Sequence, residues 1–293
     1  MTGTAARSRP LLIAACLAAV YVVWSSTYLA LRYVVEAFPA LLSSGTRYLC
    51  AGALLYGAAR LAGGPRPRAA HWRAAIPTGA LLCVVGNGFV SLAEREVSSS
   101  LAAVACAAMP IFACLFDAFG GARPSVGEWA GVLVGFAGVA VLGVAELRAR
   151  PLAGTLLLLA PIGWAAGSVL TRRLPRAPGL MGPATQLVCG GAVCTVVAFA
   201  AGERWPSSWP AAAIGSWLYL VLFGSVIAFS SYSWLLAHAT TALATSYAYV
   251  NPVLAVLLGV LVGHEHVGGS VATAAGLVVA GVALTIHAGR RRS

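Results

Sequence analysis

The sequence predicts an all-α integral membrane protein in which ten transmembrane helices form two inverted five-helix repeats. Hydrophobic residues make up 60% of the 293 positions, and charged residues make up only 9%. A water-soluble domain cannot bury that much apolar surface, whereas ten spans of roughly 20 residues each would occupy most of the chain. The apolar runs are continuous and contain Gly and Pro, which membrane helices tolerate and barrel strands do not.

Ten apolar runs, separated by short polar or charged segments, define the predicted spans. In chain order they cover residues 11–31, 39–60, 74–93, 98–119, 126–145, 151–170, 180–201, 211–236, 241–263 and 268–287. Arg7 and Arg9 precede the first run, as basic residues do in a signal peptide. Because no clear small-residue cleavage site ends that run and more spans follow, we expect it to be helix 1.

The basic residues predict the orientation in the membrane. All 19 of them are Arg, and the formal net charge is +11. They lie in the gaps between spans, which argues against nucleic-acid binding. With the N-terminus inside, 13 arginines fall on inner segments and 5 on outer segments, and Arg47 lies inside span 2. Since cytoplasmic loops are enriched in basic residues, both termini are predicted to be cytoplasmic.

The two halves of the chain resemble each other. Thr46 aligns with Thr185 at an offset of 139 residues, and Trp24 aligns with Trp164 at nearly the same offset. Each half holds five spans, so the second copy must enter the membrane from the opposite side. Inverted repeats of this kind recur in secondary transporters, which bind their substrates between the repeats. The predicted repeats cover residues 1–146 and 147–293.

Three segments carry a likeness to a known family. They are Trp24-Ser25-Ser26-Thr27-Tyr28, Thr46-Arg47-Tyr48 and Tyr247-Ala248-Tyr249-Val250-Asn251-Pro252-Val253. With them the chain resembles, over its whole length, the EamA family of the drug/metabolite transporter superfamily. Val85-Gly86-Asn87-Gly88 followed by Ala93-Glu94 resembles the YedA-type exporter branch. The resemblance implies a ten-helix fold in a bacterial inner membrane, a cavity between the repeats, and export of amino acids, related metabolites or amphipathic toxic compounds.

The chain departs from the family pattern where many members carry a Gly-Glu pair that closes helices 4 and 9. The first pair is replaced by Gly121-Ala122, and the second reads Gly263-His264-Glu265. A role for those glutamates therefore cannot be carried over to the first repeat, and in the second repeat it would fall one residue later.

Polar and aromatic residues at membrane depth are the candidates for the substrate cavity, because polar groups there need partners or water. The candidates are Trp24, Ser25, Ser26, Thr27, Arg47 and Asn87 in the first half, and Trp164, Ser168, Tyr232, Tyr247, Tyr249 and Asn251 in the second. A structural role is the alternative in each case. The hydroxyls can bond to carbonyls of their own helix, the amides can bridge helices, and the tyrosines can pack or lie at the interface.

Two prolines and one acid complete the candidate residues. Pro110 and Pro252 each leave a carbonyl four residues earlier without its helical donor, which predicts kinks in helices 4 and 9. Asp117 is the only Asp in the chain and lies near the inner end of span 4. It is either an interfacial residue or a proton or substrate site. Facilitated diffusion and proton exchange therefore both remain open.

Span 5 carries glycines at four-residue spacing, at Gly127, Gly131 and Gly135. Such a strip lets a neighbouring helix approach closely, either within a monomer or across a homodimer. Beyond a second copy of the chain, the expected partners are a small-molecule substrate and the lipid bilayer.

Secondary transport is the favoured function, and an intramembrane enzyme or a membrane scaffold or sensor is the alternative. The histidines lie at span ends or in loops, and neither a carboxylate cluster nor a metal-ligand pattern falls inside the spans. Catalytic residues and metal ligands are therefore not predicted, and no cofactor is expected. A phosphate-binding Gly-rich Lys-Ser/Thr motif is missing from the sequence, which argues against direct use of ATP.

Overall fold

The computed structural model describes residues 3–120, 125–239, 241–244, 246–266 and 268–290. Regular structure within these ranges is entirely helical, which confirms the predicted all-α class for this part of the chain. Its ten main helices are α1 Gly3–Ala37, α2 Ala40–Leu61, α3 Ala69–Ala93, α4 Ser99–Phe119, α5 Val126–Ala149, α6 Pro151–Arg173, α7 Met181–Ala200, α8 Ala211–His238, α9 Tyr247–Leu261 and α10 Gly269–Arg290. A four-residue helical turn, Thr241–Ala244, precedes α9.

Six of the described helices, namely α1, α3, α4, α6, α7 and α8, are long and apolar enough to cross a membrane. The described parts of α5, α9 and α10 contain shorter apolar stretches, at Val126–Gly138, Val250–Leu261 and Gly269–Leu284. Helix α2 has 22 residues, which at 1.5 Å per residue span roughly the 30 Å of a hydrocarbon core. It also carries Arg47 within its buried face.

Several helix ends differ from the ends of the apolar runs. Helix α1 begins at Gly3 and α3 at Ala69, upstream of the runs that begin at 11 and 74. A helix satisfies its own backbone hydrogen bonds, so it can extend beyond the apolar residues into the polar flank. Helix α9 instead begins at Tyr247, six residues after the predicted start at 241.

Helices α3 and α8 each contain a π-helical stretch of nine residues, Ala80–Gly88 and Leu220–Ala228. Their wider turns pair each carbonyl with the N–H five residues ahead, and π-helical turns occur frequently at functional sites. The two stretches lie at the same place in the two halves, because their first residues are 140 positions apart.

Helix α4 is interrupted near its centre. The segment Ser99–Cys106 ends at a turn through Ala107, and a second segment, Met109–Phe119, follows it. Pro110 is the second residue of that segment, where its missing N–H costs no helical hydrogen bond. Pro252, by contrast, lies inside α9, six residues into the helix.

Glycines bring two pairs of helices close together, α2 with α7 and α5 with α10. A Cβ atom on Gly52 would lie 2.8 Å from the backbone N of Val188 in α7. A Cβ atom on Gly281 of α10 would lie 2.3 Å from the backbone N of Gly135 and 2.7 Å from the carbonyl O of Gly131. The glycine strip of α5 therefore packs against α10 of the same chain.

Candidate functional site

A cavity of about 70 Å³ is lined by residues from both halves of the chain. Helices α1, α2, α3 and α4 of the first half and helices α6, α8 and α9 of the second half contribute to its wall. Sites for small molecules usually enclose between about 300 and 1,000 Å³. The cavity is therefore narrower in this conformation than a typical occupied site, and both repeats contribute to its wall.

Seven of the twelve cavity candidates lie on this wall. They are Trp24, Thr27, Arg47, Asn87, Trp164, Tyr247 and Asn251. Of the other five, Ser25, Ser26, Ser168 and Tyr232 lie behind it, whereas the side chain of Tyr249 is outside the described part of the structure. That these residues bind a substrate remains a prediction.

Aromatic rings form one face of the cavity. Trp24 is at their centre, with its ring centroid 5.4 Å from Trp164, 5.0 Å from Tyr232 and 5.0 Å from Tyr247. The indole N–H of Trp24 donates a hydrogen bond to the carbonyl O of Gly224, 3.2 Å away in the π-helical stretch of α8. Edge-to-face packing and this hydrogen bond hold Trp24 in a fixed orientation.

Close packing also positions Trp164, the counterpart of Trp24 in the second half. A Cβ atom on Gly86, in the π-helical stretch of α3, would lie only 2.9 Å from Cε3 of Trp164. A residue larger than glycine at position 86 would therefore clash with the indole of Trp164. The indole N–H of Trp164 has no acceptor with normal hydrogen-bond geometry among the described residues. This N–H is buried, and the hydroxyl groups of Tyr232 and Tyr247 interact with it.

Arg47 places a buried positive charge on the cavity wall. Its residue is 5% exposed, and its guanidinium group lies 4.2 Å from the ring centroid of Tyr48. One Nη atom donates to Oδ1 of Asn87 at 2.8 Å and to the hydroxyl of Tyr48. Its Nε has no partner, and no carboxylate forms an ion pair with it, within the described residues. A buried guanidinium group with a free donor favours an anionic ligand.

Three of the predicted hydroxyl groups support the wall from behind. The Ser25 hydroxyl donates to the carbonyl of Tyr21 at 2.5 Å and lies 3.1 Å from Oδ1 of Asn251. The Ser168 hydroxyl is 3.0 Å from that of Tyr232. The remaining hydroxyl group, on Ser26, lies 2.6 Å from the hydroxyl of Tyr219. The Ser25 contact positions a lining residue, Asn251, whereas Ser168 and Ser26 contact tyrosines that do not line the cavity.

Sequence reasoning missed several lining residues, among them Tyr28, Tyr48, Cys106, Met109 and Phe229. Helical spacing could have identified the first, because Trp24, Thr27, Tyr28 and Leu31 follow the i, i+3, i+4, i+7 pattern of one helix face. Cys106, Met109 and Phe229 carry no such signal, since they are apolar residues within apolar runs.

Glu265 joins three segments at the end of the bundle where α1 ends. Its carboxylate accepts hydrogen bonds from Arg32 at 2.8 Å, from the backbone N and Oγ of Ser99 at 2.9 and 2.7 Å, and from those of Ser100 at 3.1 and 2.5 Å. Burial opposes its ionisation, but the hydrogen bonds from Ser100 and Ser99 outweigh this effect and lower the pKa of Glu265. The ionised group ties α1, the N-terminus of α4 and the α9–α10 connection together.

A second ionic contact lies at the opposite end of the bundle. The carboxylate of Asp117, at the end of α4, is 3.1 and 3.2 Å from Nη2 of Arg172, and it is 3.7 Å from Nη2 of Arg173. Both arginines end α6, so the contact joins the two halves. The Asp117 side chain is 37% exposed. This placement alone leaves both predicted roles of Asp117 open.

Comparison with known proteins gives consistent matches over most of the chain. The family model described as "EamA-like transporter family" matches twice, at residues 11–144 and 152–287. The predicted boundary between residues 146 and 147 lies in the gap between these two ranges. An uncharacterized inner membrane transporter of Escherichia coli (strain K12), YedA, is 39% identical over 271 residues, which cover 91% of this chain and 88% of the relative.

Two further matches are more distant. The aromatic amino acid exporter YddG of Ancylobacter novellus is 31% identical over 195 residues, covering 62% of this chain and 65% of the relative. A solved crystal structure superimposes with a TM-score of 0.69 at 25% identity and covers 96% of this chain and 99% of that chain. These findings confirm the family resemblance and the ten-helix fold with two inverted repeats. The chain therefore belongs to the EamA-like transporter family of the drug/metabolite transporter superfamily and is a multi-pass inner-membrane transporter.

Proposed function

We propose that the protein exports small amphipathic metabolites, including amino acids, by alternating access between its two repeats. The observation that carries the proposal is the composition of the cavity wall. It combines a cluster of aromatic rings with a buried cation, Arg47, that lacks a carboxylate partner among the described residues. An amino acid with an apolar side chain has the complementary parts, an apolar body and a carboxylate.

Each part of such a substrate has a matching group on the wall. The carboxylate pairs with the guanidinium of Arg47, whose Nε is free to donate. The apolar side chain packs against Trp24 and Trp164. The amides of Asn87 and Asn251 provide further hydrogen-bonding groups. The printed function of the Ancylobacter novellus relative, export of aromatic amino acids, supports this substrate class.

Ionic contacts at the two ends of the bundle support the alternating-access part of the proposal. The Glu265 contacts lie at one end, and the contact of Asp117 with Arg172 lies at the other. Inverted repeats around a central site can open one end while the other stays closed. With both termini cytoplasmic, as the arginine distribution predicts, the Glu265 end faces the periplasm and the Asp117 end faces the cytoplasm.

Counterflow in proteoliposomes tests the proposal. Vesicles loaded with unlabelled L-tryptophan are diluted into radiolabelled L-tryptophan, and other amino acids and amphipathic compounds are added as competitors. We expect exchange that Arg47→Gln weakens by about 10- to 100-fold in apparent affinity, the equivalent of one charged hydrogen bond. Trp164→Ala should weaken it as well, because the substrate loses a ring contact.

A matched control is Trp129→Ala, which removes an indole that is 43% exposed on α5 and does not line the cavity. It should keep the wild-type rate. Two results would contradict the proposal. One is a lack of exchange with every compound on the panel, and the other is wild-type counterflow in both the Arg47 and the Trp164 variants.

A further inference from the structure

Glu94 is a buried carboxylic acid whose environment differs from that of Glu265. It follows α3 directly, and its residue is 3% exposed. Neither of its carboxylate oxygens has a hydrogen-bond partner in the described part of the chain. Glu265, by contrast, accepts five hydrogen bonds. Burying an ionised carboxylate without donors is costly, so this environment favours the protonated form of Glu94.

Charged and titratable groups on several elements interact electrostatically with Glu94. Burial raises the pKa of the Glu94 carboxyl, and the negative charge of Glu265 raises it further, while Arg32 and Arg47 act in the opposite direction. Tyr28 of α1 and Cys106 of α4 also interact with it electrostatically. The protonated form is favoured because the two arginines do not offset the loss of hydration.

Glu94 also lies next to the cavity. Val90, one helical turn before it, lines the cavity, and so do Tyr28 and Cys106. Arg47, the proposed carboxylate-binding residue, belongs to the same wall and acts electrostatically on Glu94. A change in charge at Arg47 within the cavity therefore acts on Glu94 through their electrostatic interaction.

Asp117 has a different environment at the other end of the bundle. It is more than a third exposed and forms ionic contacts with Arg172 and Arg173. Its carboxylate therefore already has two cationic partners, whereas neither carboxylate oxygen of Glu94 has a hydrogen-bond partner in the described part of the chain.

We propose that Glu94 is the site at which the transporter exchanges a proton for its substrate. When the cavity opens to the cytoplasm, water reaches the carboxyl group, its O–H bond breaks, and the proton passes to that water. When the cavity opens to the periplasm, the carboxylate takes up a proton from the more acidic side, and closure then buries the neutral acid. One proton enters as one substrate leaves, without any redox step. This inference rests on the proposed export function.

The experiment compares two assays on the same proteoliposomes with radiolabelled L-tryptophan, namely accumulation driven by a pH gradient and counterflow without one. Glu94→Gln should abolish the accumulation and retain the counterflow, because an amide can form hydrogen bonds but carries no exchangeable proton. The matched control is Glu96→Gln, an exposed glutamate two residues further along the chain. Glu96→Gln should accumulate tryptophan as the wild type does.

Several outcomes overturn the inference while leaving the export proposal intact. In the first, Glu94→Gln accumulates tryptophan at the wild-type level. In the second, Asp117→Asn loses accumulation and Glu94→Gln retains it. In the third, the wild type shows counterflow but does not accumulate tryptophan in response to a pH gradient. If Glu94→Gln does not fold, Glu94→Asp replaces it. That variant should accumulate tryptophan more slowly, and accumulation at the wild-type rate would count against the inference.

Infrared spectroscopy tests the protonation state without any substrate. The purified wild type at neutral pH should show the carbonyl stretching band of a protonated carboxyl group. Glu96→Gln should show the same band, and Glu94→Gln or Glu94→Asp should lose or shift it. A wild type without the band has an ionised Glu94, which overturns the inference whether or not tryptophan is transported.

Discussion

At the residue scale, the role of each buried or half-buried carboxylate depends on the hydrogen-bond donors that surround it. Glu203 accepts hydrogen bonds from the backbone N of Leu41 and of Leu42, at 3.2 and 2.7 Å, and so caps the N-terminus of α2. Glu265 caps α4 in the same way and adds an ion pair. A negative charge at a helix N-terminus is stabilising, because the free N–H groups and the helix dipole both favour it. These two glutamates stabilise the fold as anions, whereas the carboxyl oxygens of Glu94 have no hydrogen-bond donor among the described residues.

The first prediction concerns Glu265 and pH. The replacement Glu265→Gln should lower the free energy of unfolding by about 2–4 kcal/mol at neutral pH. A neutral amide cannot form an ion pair with Arg32, and its single oxygen cannot accept hydrogen bonds from all five donors. The pKa of Glu265 is lowered, so the carboxylate stabilises the protein above its unfolded-state pKa of about 4.5. That contribution disappears as the pH falls through the lower folded-state pKa. The difference between wild type and variant should therefore shrink below about pH 4.5.

Thermal unfolding of the detergent-solubilised protein over a pH series measures this effect. The control is Glu36→Gln, which removes the other carboxylate paired with Arg32, on a side chain that is 55% exposed. It should change stability by less than about 1 kcal/mol. A stability difference that stays constant into acid would show that the charge of Glu265 is not responsible.

The sequence predicted part of this residue-level arrangement. Membrane depth and residue type were enough to select Trp24, Arg47 and Asn251, because aromatic and polar groups are conspicuous inside apolar helices. They could not predict the role of Glu265, since it depends on Arg32, which is 233 residues away in the chain. A contact between such distant residues exists only once the helices have packed.

At the element scale, backbone contact between α5 and α10 depends on glycine. The atoms that a Cβ on Gly281 would meet belong to the backbone of Gly131 and Gly135, so they cannot move aside as side chains can. Close helix approach of this kind gains dispersion contacts along the whole interface. Any larger residue at Gly281 would push the two helices apart.

The second prediction follows from this contact. The replacement Gly281→Ala should lower the free energy of unfolding by about 1–3 kcal/mol, as overpacked sites generally do. Gly276→Ala, on the same helix, is the matched control, because no described atom lies within 4 Å of its added methyl group. It should leave stability unchanged or raise it by up to about 1 kcal/mol through helix propensity. Thermal unfolding of both variants makes the comparison, and equal losses would refute the packing argument.

The number and order of the helices were predictable because long apolar runs separated by arginines and turns leave few alternatives. The π-helical stretches were not. Residues 80–88 and 220–228 are apolar on nearly all sides, so their pattern does not distinguish one helical period from another. Their geometry follows from packing, as the close approach of Gly86 to Trp164 illustrates.

At the scale of the whole molecule, the inverted relation of the repeats fixes which connections face each compartment. The third prediction is that reporter fusions after Leu61 and Pro175 report the cytoplasm, and fusions after Glu36 and Arg204 report the far side. The excess of arginine on the inner connections is the physical reason. Fusions showing that α1 and α6 run in the same direction would contradict the inverted arrangement.

The paired π-helical stretches also bear on the relation between the two repeats. A π-helical turn holds more residues than an α-helical turn, so side chains beyond it are rotated relative to those of a regular α-helix. Because Ala80–Gly88 and Leu220–Ala228 correspond across the halves, both repeats carry this rotation at the same place. The likeness of the two halves therefore extends from their sequence to an irregular feature of their backbone.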